Sequence, residues 1–174
     1  MLKELLKQKR AKILAEWIEE AYKSYPAETV KIFGKSGDPF QNPVGFTISD
    51  ALNQMYDSII KEEMELTIPT LEKMIRIRSI QDFSPSQAVS FVFSLREIVH
   101  KNFKSENKDN NLTNELIEFN KEIDKLALII FDSYMTSREK INELKINQAK
   151  IGSLKIADRV NKRLEEQANK NEDN

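Results

Sequence analysis

The sequence holds one histidine, His100, which with Glu97 forms Glu-Ile-Val-His. On a helix, Glu-x-x-His sets a carboxylate and an imidazole on one face, as in di-iron carboxylate bundles. Those centres need the motif on two helices, and a single histidine excludes that. Haem needs only one axial histidine. A haem ligand should face an apolar pocket, however, and Arg96, Lys101 and Lys104 surround His100 in sequence. Cations there suit the C-terminal end of a helix dipole better. Serine–histidine catalysis needs an oriented acid behind the histidine, and no motif places an aspartate for that role. Cysteine is absent, which removes thiolate metal sites, disulfides and thiol nucleophiles together. Glu62 and Glu63 are adjacent, so on a helix they diverge instead of converging. GKSG at 34–37 lacks the preceding strand and the glycine spacing of a phosphate loop. The expectation is no catalytic residue, no metal and no cofactor.

One polar cluster remains, in RIRSIQDFSPSQAVSFVF at 76–93. Arg76, Gln81 and Asp82 lie within two helical turns, with Arg78 between them on a different face. Ser84 precedes Pro85, and Gln87 follows three residues on, which makes a capping box with proline at the first helical position. Two readings stand side by side. In one, Asp82 pairs locally with an arginine while Ser84 caps the next helix. In the other, the junction binds an anion, a small signal molecule or a partner protein; free N–H groups at the Ser84 helix start favour an anion. The candidate contact residues are Arg76, Arg78, Gln81, Asp82, Ser84, Ser86 and Gln87.

The elements that must position this cluster are helices. Four glycines and five prolines are few for 174 residues, and Leu, Ile, Glu and Lys recur at helical spacing. No long alternating run and no Asn-Gly or Asp-Gly hairpin turn suggests strands. Lys and Arg total 27 against 28 Asp and Glu, without the basic excess that phosphate binding needs, so nucleic acid is not an expected partner. No apolar run reaches the roughly 18–20 residues that span a bilayer. The start, MLKELLKQKRAKILAEW, lacks the apolar core of a signal peptide and reads as mature protein. The lack of cysteine suits a reducing cytoplasm.

A first helix is expected over 2–24, ending at Tyr25-Pro26, and a short one over 27–33. GKSGDPFQNPVG follows as an ordered loop, stiffened by Pro39 and Pro43 and anchored by Phe40 and Val44. Ser49 or Thr47 should cap a helix running to about Met64. Another should run from Thr67-Pro69 toward Asp82, and the Ser84 helix should be the most buried. After the polar connector 105–111, Leu112, Leu116, Phe119, Ile123, Leu126, Ile130 and Tyr134 form a three-four stripe. The pattern continues through Ile141, Leu144 and Ile151, so Ile130, Tyr134, Ile141, Leu144 and Ile151 are candidates for a dimer or output helix. Residues 1–138 are expected as the folded domain and 139–174 as a helical extension with a disordered end.

Phe40-x-Asn42-Pro43-Val44-Gly45 and Ile75-Arg76-Ile77-Arg78-Ser79-Ile80-Gln81-Asp82-Phe83-Ser84-Pro85-Ser86-Gln87-Ala88-Val89 resemble the N-terminal domain of RsbR-type RsbT co-antagonist proteins. The version in question is that of the RsbRD group, also found before some histidine kinases. Trp17, Tyr25, Ile123-Asp124-x-Leu126-Ala127 and Phe131-Asp132-x-Tyr134 fit the same pattern, so the resemblance covers about 10–145. It implies a globin-like, all-α sensory domain, dimeric and without bound haem, which feeds an output module through its last helix. No kinase signature or phosphorylatable module follows. The expectation is therefore a stand-alone cytoplasmic regulator in bacterial signalling. It would act by homodimerisation and contact with a signalling protein, with a haem- or anion-binding sensor as the alternative.

Overall fold

The computed structural model describes residues 1–33, 39–61, 68–81, 83–104 and 110–172. Among them there are seven helices and no strand, so the chain is all-α with a long last helix. The helices are α1 (Leu2–Gln8), α2 (Arg10–Tyr22), α3 (Ala27–Phe33), α4 (Pro43–Lys61), α5 (Ile68–Ile80), α6 (Pro85–Asn102) and α7 (Asn110–Glu172). The chain divides into two compact units, Met1–Ser137 and Arg138–Asn174.

The expected first helix is split at Lys9, whose ψ of 11° bends the chain. The Lys9 ammonium reaches the Asn102 carbonyl at 2.7 Å and lies over the Phe103 ring at 4.8 Å. Lys9 N–H still bonds Leu5 O, and Lys9 O still accepts from Ile13, so this is a bend with its ladder intact. The apolar stripe crosses it: Leu2, Leu6, Ile13, Leu14, Trp17 and Ala21 are all buried. Helices α2 and α6 meet through Trp17, whose indole N–H donates to Phe91 O at 2.6 Å and whose ring stacks on Phe91.

α4 starts at Pro43, ahead of the expected cap at Thr47 or Ser49. Asn42 is the reason. Its Oδ1 accepts from Gly45 N–H at 3.0 Å and its Nδ2 donates to Phe33 O at 3.0 Å, while Pro43 takes the position where no N–H is needed. Phe40 corrects the loop reading. It is 94% exposed and so is not buried in the core, whereas Val44 does pack on it. The preceding residues 34–38, and Thr67 before α5, lie outside the described residues.

Gly45 has no room for a side chain, because a Cβ would lie 2.3 Å from Asn42 Nδ2. Gly45→Ala should push Asn42 off both partners and cost about 1–3 kcal/mol, the penalty for stranding buried polar groups. Equilibrium urea unfolding measures this, and a variant as stable as wild type would show that the cap is dispensable.

α6 carries the densest apolar face, with Ala88, Val89, Phe91, Val92, Leu95, Ile98 and Val99 buried. Residues Leu112, Leu116, Phe119, Ile123, Leu126, Ile130 and Tyr134 of α7 close the first unit's core. The outer side of α7 keeps Leu128 and Ile129 exposed.

Candidate signal-contact site

The junction between α5 and α6 forms as its local residues require. Gln87 N–H donates to Ser84 Oγ at 3.3 Å, and Ser84 N–H donates to Gln87 Oε1 at 3.0 Å. With Pro85 opening the helix, the capping box is complete. Its two backbone donors are thereby occupied by side chains, which weakens the free helix start as an anion site.

Local spacing cannot show what happens to Arg78. Its side chain is completely buried. Nη1 donates to Gln87 O at 3.1 Å, and Nη2 donates to Ala21 O at 3.2 Å and to Ser24 Oγ at 3.3 Å. The guanidinium lies 4.9 Å from the Phe91 ring centre, 5.2 Å from Phe83 and 5.7 Å from Tyr25. One cation therefore joins the C-terminal end of α2, α5 and the first turn of α6. Among the described residues its acceptors are all neutral. Burial lowers its pKa, and neighbouring Tyr25 acts against that shift, but arginine stays charged at any physiological pH. The carbonyl bonds and aromatic faces offset part of the desolvation cost.

Two polar atoms here lack hydrogen-bond partners, Arg78 Nε and Tyr25 Oη. Burial raises the Tyr25 pKa, while the adjacent Arg78 charge lowers it. The hydroxyl and guanidinium are thus close enough to influence each other without good hydrogen-bond geometry. Tyr25 also lines a cleft of about 360 Å³, together with Ser24, Pro26, Thr29, Gln81, Phe83 and Gln87. Tyr25 and Phe83 also meet edge to face, 5.1 Å between centres. Behind Phe83, its carbonyl accepts a hydrogen bond from the Tyr134 hydroxyl on α7.

The residues singled out from sequence therefore separate. Arg76, Gln81, Ser86 and Gln87 are exposed and Ser84 is half-buried, so all five can meet another molecule. Arg78 has no surface to offer a partner, and Asp82 lies outside the described residues, along with its expected local pairing. Along α7, Ile130 and Tyr134 are consumed by the chain's own core, Ile141 is half-buried, and Leu144 and Ile151 are exposed. Ser24, Tyr25 and Phe83 were not expected at the site. Tyr25-Pro26 reads in sequence only as a helix end, and its approach to Arg78 comes from folding.

His100 is half-buried, with Nε2 3.1 Å from Asn120 Oδ1 on α7. Arg96, one turn earlier, donates to Asn120 O and pairs with Asp124. This polar seam joins α6 to α7. No group of three or more His, Asp or Glu suited to a metal occurs among the described residues, and no helix among them is long and apolar enough to cross a membrane.

No curated protein and no solved structure matches the chain. A family profile does: that of the RsbT co-antagonist protein rsbRD N-terminal domain matches residues 11–148. The match takes in the Asn42 cap, the buried Arg78, the Ser84 capping box and the Tyr134 tie. It describes a regulatory signalling domain, not an enzyme family. The chain belongs to the RsbRD N-terminal domain family of RsbT co-antagonist proteins.

Proposed function

We propose that this domain is a non-enzymatic sensory and regulatory module of bacterial signalling. It acts by homodimerisation and by contact with a signalling protein, and α7 carries its state. Family membership supports the regulatory part of this reading. The dimer rests on one observation. In the second unit Leu144, Ile146, Ile151, Leu154, Ile156, Val160 and Leu164 are 49–71% exposed. Large side chains left in water along one helix mark a surface that another molecule covers. Leu144 and Ile151 share a heptad position, which suits helix pairing between two copies.

The double substitution Leu144→Glu with Ile151→Glu should raise the dimer dissociation constant by about 100-fold or more. Each large apolar side chain contributes about 1.5–3 kcal/mol when covered. Sedimentation equilibrium reads the constant. An unchanged dimer would sink the role of α7, and a monomeric wild-type protein would sink dimerisation itself.

A second reading, a small-ligand sensor, is favoured by the cleft that Tyr25 lines. The ligand type this cleft suits is not haem. The cleft is small, and His100 is engaged with Asn120 on α7.

A further inference from the structure

The cleft and the α7 tie share one residue, Phe83. Its ring covers the Arg78 guanidinium and lines the cleft, and its carbonyl holds the Tyr134 hydroxyl. We propose that this cleft binds a small organic carboxylate with a flat apolar body, and that its entry displaces Phe83 and loosens the hydrogen bond tying α7 to the junction. The inference deepens the ligand-sensor reading and rests on it.

The chemistry of the cleft selects the ligand. Tyr25 lines the cleft and is only 7% exposed, and its buried hydroxyl, beside Arg78, makes no hydrogen bond of good geometry. Arg78 Nε beside it lacks an acceptor as well. One carboxylate oxygen could accept from both. Its charge would meet a buried cation whose described acceptors are all neutral, where charge-assisted hydrogen bonds are strong. Four of the residues in contact with the guanidinium, Ser24, Tyr25, Phe83 and Gln87, also line the cleft, so the charge sits directly behind its wall. The rings of Tyr25 and Phe83 with Pro26 offer apolar faces to a flat body, and Thr29 and Gln81 offer polar groups at the rim. A volume of about 360 Å³ limits the ligand to a small molecule.

Both orphan atoms are closed off from solvent. A carboxylate can therefore reach them only if the covering wall shifts. Phe83 is the half-buried part of that wall, outside any helix. Moving it strains the bond to Tyr134, one turn before the first unit ends at Ser137.

Benzoate is the probe, followed by backbone NMR shifts and amide hydrogen exchange on the full chain, with benzamide as its neutral analogue. Benzoate should shift residues 24–29 and 81–87 saturably, benzamide should bind at least about 10-fold more weakly, and exchange around Tyr134 should speed up. Tyr25→Phe keeps the ring and removes the hydroxyl, so it should weaken benzoate by about 10-fold or more, as expected for a lost bond to a charged group. Tyr134→Phe should bind benzoate normally but show no benzoate-dependent change in α7 exchange. The proposal fails if benzoate gives no saturable shifts, if benzamide binds equally well, or if Tyr25→Phe binds unchanged. Binding without any change in α7 exchange overturns the relay. Sedimentation of the same samples separates the two readings: a dimer that persists where benzoate fails to bind sinks only the cleft proposal.

Discussion

Arg78→Ala is expected to lower the stability of the first unit by about 2–5 kcal/mol, the range for emptying a large buried site. The loss has two sources. The side chain fills the space between Tyr25, Phe83 and Phe91, and its removal leaves those rings facing a void. It also ends the side-chain bonds by which α5 grips Ala21 and Ser24 at the end of α2 and Gln87 in α6. Arg78→Met separates the two. Methionine restores much of the volume without the charge, so its variant should lie between alanine and wild type, at least about 1 kcal/mol below wild type for the lost donors. Arg78→Lys keeps the charge, but a single ammonium cannot span carbonyls on two helices as a guanidinium fork does. Urea unfolding of the three variants decides the matter. If alanine unfolds at the wild-type midpoint, the guanidinium holds nothing together. If methionine equals wild type, only the volume counts.

Trp17→Ala should cost about 3–5 kcal/mol by the same logic applied to the largest fully buried side chain. Trp17 sits where α2 meets α6, so its loss opens the contact between two central helices. Trp17→Phe keeps a ring against Phe91 but drops the indole N–H bond to the Phe91 carbonyl. That variant should lose about 1 kcal/mol for the hydrogen bond, plus a smaller packing cost. Thermal unfolding followed by circular dichroism distinguishes them, and a tryptophan-to-alanine variant within about 0.5 kcal/mol of wild type would contradict this core assignment. Trp17 and Arg78 are also coupled, since both touch Phe91. Their double variant should depart from additivity.

Much of the architecture was legible locally. Ser84-Pro85-x-Gln87 gave the start of α6 to the residue, because a capping box consists of contacts between neighbours in the chain. The apolar stripe of α7 named its core face for the same reason, since periodicity follows from 3.6 residues per turn. Less was legible where a local signal had a competitor. Asn42-Pro43 starts α4, but the apolar periodicity after Thr47 looked like a better beginning. Phe40 looked like an anchor because phenylalanine favours burial, yet a turn residue can only be buried if the chain around it offers a pocket.

The functional residues divide along the same line. Composition, periodicity and caps belong to single segments, so the chain's residues alone specified an all-α protein and the RsbRD-type junction. Side chains from distant segments meet only after folding. That is why the three-dimensional packing turned Arg78 from a candidate surface contact into a buried staple. Packing also brought Tyr25 and Phe83 to the cleft, and it committed Ile130 and Tyr134 to the interior while leaving Leu144 and Ile151 exposed. No spacing rule could foresee a guanidinium held by carbonyls from α2 and α6, because those acceptors are backbone atoms that every sequence possesses.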